Sequence, residues 1–207
     1  MIEHLRNNFA VDRNSIEEAG EYNGEAAVLV PVTDHPTNPQ IILTRRADHL
    51  NTHSGEVSFP GGKWEEGDDS LIVTALRESC EEVALPPDLV EVINVQPSVY
   101  SLWGIKVTPY IGIIPNDLPL VANPDELDSV FNVPVEFFLQ DQRTSTDVYF
   151  NQQRESWSPV YHYEGYKIWG LTARILVEFL NVAWGAGIKR ENSAPEKARK
   201  PRPTTFR

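Results

Sequence analysis

Phe59-Pro-Gly-Gly-Lys-Trp-Glu-Glu-Gly-Asp-Asp-Ser-Leu-Ile-Val-Thr-Ala-Leu-Arg-Glu-Ser-Cys-Glu-Glu-Val-Ala-Leu85 joins two kinds of backbone. Its glycine-rich start excludes regular structure. From Ser70 to Val83 the apolar spacing is helical, with Asp68, Asp69 and Ser70 available as N-cap residues. A turn of ~100° per residue gathers Ile72, Ala75, Leu76, Ser79, Cys80 and Val83 on one face and Glu78, Glu81 and Glu82 on the other. Like charges at this spacing oppose a helix by about 0.2–0.5 kcal/mol per pair, so the cluster calls for a cation. A hard divalent ion such as Mg²⁺ or Mn²⁺ takes carboxylate oxygens, water and substrate phosphate together. The plain alternative is a solvated acidic face balanced by Arg77 and salt.

The flanking residues argue for a site. Gly61-Gly62 directly follows the strand-like Glu56-Val-Ser-Phe59 and permits a close backbone approach that side chains would block. Strand, glycine turn and acidic helix then succeed one another.

These residues resemble the Nudix box: Gly, five residues, Glu, seven residues, Arg-Glu, an apolar residue, any residue, Glu-Glu, any residue, Gly and an apolar residue. Arg77-Glu78-Ser79-Cys80-Glu81-Glu82-Val83-Ala84-Leu85 carries the core of that pattern. Three positions depart from it. Asp69 stands for the first Glu, one residue too far from Gly62; Ser79 replaces an apolar residue, and Ala84 replaces the late glycine.

Upstream, Ile42-Leu-Thr-Arg-Arg-Ala47 and His53-Ser-Gly-Glu-Val-Ser-Phe-Pro-Gly-Gly62 are similar to the signature of a narrower branch, the coenzyme A pyrophosphatases. Asn51 stands where an Arg is usual and Glu56 where Gln is common. The resemblance runs from about Ala26 to Leu180 and also touches Ile168 to Leu176. It implies an α/β Nudix fold, an α/β/α sandwich with a mixed curved sheet. It implies a pyrophosphohydrolase that needs Mg²⁺ or Mn²⁺ and splits coenzyme A, or its acyl or oxidised forms, into 3′,5′-ADP and 4′-phosphopantetheine or its derivative.

On that reading Glu78 and Glu82, one helical turn apart, are the first metal ligands; Glu81 and the Gly61 carbonyl join them. Arg45 and Arg46 suit a phosphate clamp, because a planar guanidinium fork matches phosphate oxygens. His53, Gly62 and Lys63 are further substrate-side candidates. The proton acceptor is Glu126, with Asp125 in reserve, or one of Glu78 and Glu81. Alternatives are another nucleoside diphosphate derivative, such as ADP-ribose or a dinucleotide, and a non-catalytic nucleotide-binding module.

Composition agrees with one globular domain. The 207 residues are 41% hydrophobic and 23% charged, and no apolar run approaches the ~20 residues of a membrane helix. Cys80 is the only cysteine, so an internal disulfide is excluded and a reducing cytoplasm suits the chain; its place on the apolar face points to a buried thiol. The net charge of −12 disfavours nucleic acid and anionic membranes as partners. The expected partner is a small nucleotide derivative, and the family offers homodimers as precedent. Residues 189–207 hold seven Lys or Arg against two Glu, which leaves −17 on residues 1–188. The division is therefore a lead-in over 1–25, a domain over 26–188 and a basic disordered tail over 189–207.

Apolar runs predict strands at Ala26–Val32, Ile41–Arg45, Val90–Val95 and Lys106–Ile114, and a hairpin turning at Glu164-Gly165. A final amphipathic helix covers Leu171–Trp184. Tyr100 and Trp103, between strands, suit core positions better than a stacking role. Asn123-Pro-Asp-Glu126 reads either as a helix start or as the entrance to a strand over Leu127–Val133.

Overall fold

The computed structural model describes residues 1–9, 22–50, 52–101, 103–151, 154–191 and 194–199. Helix α1 (Ile2–Asn8) leads to β1 (Glu25–Thr33), β2 (Gln40–Arg46), β3 (Val57–Ser58) and β4 (Gly61–Lys63). Helix α2 (Leu71–Val83) precedes β5 (Glu91–Val95), β6 (Val99–Tyr100), β7 (Lys106–Ile114) and β8 (Leu127–Pro134). Then come the short α3 (Val135–Leu139), β9 (Ser145–Asn151), β10 (Arg154–Tyr163), β11 (Tyr166–Ile168), α4 (Gly170–Trp184) and β12 (Glu196–Arg199).

The first sheet is mixed. At its centre β1 and β7 run parallel, in register from Glu25 opposite Lys106 to Thr33 opposite Ile114. Both strands read as near-continuous apolar runs because both of their faces are covered. Ala27 and Leu29 pack with Ile72, Ala75 and Val83 of α2, while Val30 and Val32 pack with Leu176, Phe179 and Leu180 of α4. The other strands join antiparallel: β4 and β2 along β1, β3 and β8 along β2, β5 and β6 along β7. The α/β arrangement expected from the sequence is what forms.

A second sheet, ordered β11-β10-β9-β12, was not foreseen. Its hairpin was, turning at Glu164-Gly165 with Tyr163 opposite Tyr166. The last strand departs from the disorder expected over 189–207 only at Glu196–Arg199; residues 200–207 of that expected tail lie outside the described residues. Glu196–Arg199 pairs in parallel with β9, and Arg190 fastens the approach by donating to Glu196 at 2.9 Å and pairing with Glu155. A Lys-, Arg- and Pro-rich composition conceals a strand whose partner lies far away in sequence. At the other end Ile2, Leu5 and Phe9 are buried, whereas Ile16 to Ala19 of the expected lead-in fall outside the described residues.

Candidate active site

Two glycines bring α2 against β4. Gly61 has φ +147°, and a Cβ there would strike the Ala27 carbonyl and Val28 Cα. At Gly62 a Cβ would occupy the place of the Glu78 carboxylate. The bare main chain lets the acidic residues of the helix come down onto the strand.

Helix α2 itself is held at its start by Asp68. This buried carboxylate accepts from Thr74 Oγ1 at 2.8 Å, from Arg77 Nε and Nη2 at 2.9 and 3.0 Å, and from the Glu65 N–H at 3.3 Å. Burial alone would raise its pKa, but these donors overcome it and hold the group below the usual carboxylate range. Arg77 then reaches Glu78 and Glu81 from Nη1, at 3.1 and 3.2 Å, and the Lys63 carbonyl from Nη2. The arginine thus orients glutamates. The sequence reading put the exposed Asp69 in the place of the first box Glu by counting back from Arg77; the acid that meets Arg77 is Asp68, which keeps the five-residue spacing from Gly62, so the extra residue lies between Asp68 and Arg77.

Glu82 is only 3% exposed. Its Oε2 accepts from the Gly61 N–H at 3.1 Å, and its Oε1 lies 3.8 Å from Arg46 Nη1. Burial first, then Glu78 and Glu126, push its pKa up to about 7 against the Gly61 N–H and Arg46. Glu78 is raised too, by burial and by Glu81 and Glu126, against Arg77. Glu78, Glu82 and Glu126 therefore repel one another in a partly dry corner. Seating Glu82 turns the helix so that its buried face runs through residues 71, 72, 74, 75, 79, 82 and 83. Cys80 consequently faces solvent, contrary to the buried thiol expected, and Ser79 is satisfied by donating to the Ala75 carbonyl at 2.6 Å.

Among the described residues no three His, Cys, Asp or Glu side chains already surround one point as a finished coordination shell. The donor set nevertheless suits a hard cation. A carboxylate as buried as Glu82, with two like charges pressing on it and its nearest guanidinium at 3.8 Å, lacks a close counter-charge. Glu81 sits at the rim, with its side chain 58% exposed.

The other candidates fall into two groups. Arg46 stays beside Glu82, with its Nε buried and without a hydrogen-bond partner. Arg45 is engaged elsewhere, by Asp48 at 2.6 Å and by Asp128. His53 faces Glu56 at 2.7 Å, Lys63 is exposed, and Asn51 lies outside the described residues. The segment from Asn123 takes the strand reading: Asp125 N–H caps on Asn123 Oδ1, and Glu126 stands at the entrance to β8. Tyr100 and Trp103 are 62% and 50% exposed at the β6–β7 tip, so they are not core. A cavity of about 250 Å³ along β2 and β8, lined by Thr33, Ile42, Ile114, Asn116, Val130 and Asn132, holds no charged side chain and lies apart from Glu78 and Glu82.

Residues 24–153 match the NUDIX domain. The chain belongs to the Nudix family. "Uncharacterized Nudix hydrolase NudL" of Salmonella heidelberg (strain SL476) is 46% identical over 182 residues, covering 86% of this chain and 92% of that protein. The same-named protein of Salmonella dublin is 45% identical over the same span. The MutT/nudix family protein from Enterococcus faecalis, a solved structure, shares the fold with a TM-score of 0.51 and 15% identity, over 87% of this chain and 73% of that one. This Nudix hydrolase is accordingly a pyrophosphohydrolase of nucleoside diphosphate derivatives, in a family that generally works with divalent metal ions.

Proposed function

We propose that this Nudix hydrolase cleaves the pyrophosphate bond of coenzyme A, or of its acyl or oxidised derivatives, to 3′,5′-ADP and 4′-phosphopantetheine or the matching derivative, using Mg²⁺ or Mn²⁺. One observation carries the reading. The two stretches that resemble the coenzyme A branch pair with each other, Thr44 opposite Ser58 and Arg45 opposite Val57, and so deliver Arg46 and Gly61 to the same buried glutamate.

Glu78, Glu82, Glu81 and the Gly61 carbonyl are the groups that would hold the ion. When bound, it supplies positive charge to the diphosphate oxygens. Arg46, whose Nε has no protein acceptor among the described residues, binds a phosphoryl oxygen with its guanidinium. Asp68, through Arg77, keeps Glu78 and Glu81 in place while substrate enters. Water attacks one phosphorus, the bridging P–O bond breaks, and a carboxylate takes the water's proton. Of the four nearby glutamates, Glu78 and Glu81 are held by Arg77 and Glu82 by the Gly61 N–H. Among the described residues Glu126 has no such donor on its carboxylate, so Glu126 is the proton acceptor in this reading.

The test is a panel of pyrophosphates with product identification. Release of 3′,5′-ADP from coenzyme A at a kcat/KM well above that for AMP from ADP-ribose is expected. A preference for ADP-ribose would replace the substrate. That second reading has one observation in its favour: Arg45, neutralised by two acids, brings no net positive charge for an additional 3′-phosphate. Saturable coenzyme A binding without turnover in either metal would instead identify a binding module.

A further inference from the structure

We propose that Arg45 is a positioning residue that sets Glu126, and that it does not touch substrate. The inference rests on Glu126 as proton acceptor and adds what holds that side chain in place.

The strand β8 begins at Leu127, so Glu126 is the last residue of an irregular segment, and its position depends on what grips the chain on either side. On the upstream side the grip comes from the catalytic helix: Asn123 N–H donates to the Glu82 carbonyl at 2.8 Å, and Val121 N–H to the Val83 carbonyl at 3.1 Å. Asn123 then passes the hold on, its carbonyl accepting from Glu126 and Leu127 N–H at 3.1 and 2.8 Å. On the downstream side the grip centres on Arg45. Its guanidinium joins Asp128, two residues past Glu126, to Asp48, which it meets at 2.6 Å. Asp48 N–H also donates to Asp128 Oδ2 at 3.2 Å, and Ala47 N–H to the Glu126 carbonyl at 2.9 Å. Arg45 therefore closes a clasp whose two jaws are the end of β2 and the start of β8, with Glu126 between them.

A guanidinium shared between two carboxylates is a poor phosphate ligand, since binding phosphate means giving up one acid or bringing a like charge beside both. Its neighbour Arg46 has the free donor. The two arginines, adjacent in sequence, thus divide the work between holding the protein's own base and holding substrate.

The experiment compares Arg45→Gln, Arg45→Lys, Asp128→Asn, Glu126→Gln and the double variant Arg45→Gln/Glu126→Gln, assayed at saturating Mg²⁺ on the best substrate of the panel, with thermal melts to confirm folding. Arg45→Gln and Asp128→Asn each lower kcat by about 10-fold or more while KM stays within about 2-fold, because a displaced base loses rate without losing binding. Lysine at 45, able to bridge one acid, recovers part of the loss. In the Glu126→Gln background the Arg45 substitution has no further effect on kcat. Multiplicative losses in the double variant would overturn the proposal while leaving Glu126 as the base. So would an Arg45→Gln enzyme whose kcat is unchanged and whose KM rises by about an order of magnitude. A Glu126→Gln enzyme as fast as the wild type would remove the base assignment and the clasp's purpose with it.

Discussion

Glu82 occupies a buried helical position of the kind ordinarily held by an apolar side chain, and among the described residues the Gly61 amide is the donor that reaches it within hydrogen-bond distance. That placement makes it the most sensitive of the candidate ligands. Glu82→Gln keeps the shape and the Gly61 hydrogen bond but removes the charge, so steady-state kinetics should show kcat reduced at least ~10²-fold with an unchanged melting temperature or a raised one. Two residues along, Ala84 caps α2 in the left-handed region at φ +54°. A Cβ there costs about 1 kcal/mol, so Ala84→Gly should stabilise the protein by roughly that amount in chemical denaturation, without altering kcat. At this scale the sequence was partly legible. The glutamates stood out because their spacing is fixed by the helical turn. Asp68 did not, because one inserted residue breaks the count, and Cys80 was misplaced because a purely apolar criterion assigns the core face to sulfur rather than to a carboxylate. Sites violate local rules where they work, and a wheel drawn from hydrophobicity turns away from them.

At the scale of an element, α2 is fixed at its start by side chains rather than by a cap, since Ser70 makes no capping hydrogen bond. Asp68 supplies the hold, and it ties the helix to Arg77 and hence to Glu78 and Glu81. Asp68→Asn should cost about 2–4 kcal/mol in urea unfolding, because it removes the charge from the buried acceptor that takes hydrogen bonds from Arg77, Thr74 and the Glu65 amide. The same variant should lower kcat, through two glutamates it does not touch. Strands β1, β2 and β7 were plain in their β-branched runs, and the final helix in its period. The entrance to β8 was ambiguous, because Asn-Pro-Asp-Glu satisfies the local chemistry of a helix start equally well. Only the pairing of Leu127–Pro134 with β2 decides it, and such long-range pairing leaves no local mark.

For the whole molecule the corner of like charges sets a pH dependence. Glu82 has its pKa raised to about 7 in the fold, against an ordinary value of 4.5, and Glu78 shifts in the same direction. Between those pH values the folded chain binds more protons than the unfolded one, so metal-free protein loses stability as pH rises through that window and stays at the lower level above it. Asp68, shifted the other way, matters only in more acidic solution. Melting temperatures of metal-free protein should therefore be lower at about pH 8 than at about pH 5.5, the difference should shrink in Glu82→Gln, and millimolar Mn²⁺ at the higher pH should restore the loss by mass action. A pH-independent melting temperature, unmoved by metal, would count against the corner as a cation site.

The parallel pairing of Glu196–Arg199 with β9 has a consequence for biosynthesis. Strand β9 is synthesised before its outer neighbour, and until Glu196–Arg199 joins it Thr146 to Tyr149 present an open rim of amides and carbonyls to any extended peptide nearby. A nascent chain stalled there, or a fragment ending before Pro195, keeps the rim exposed and becomes a template for misassembly.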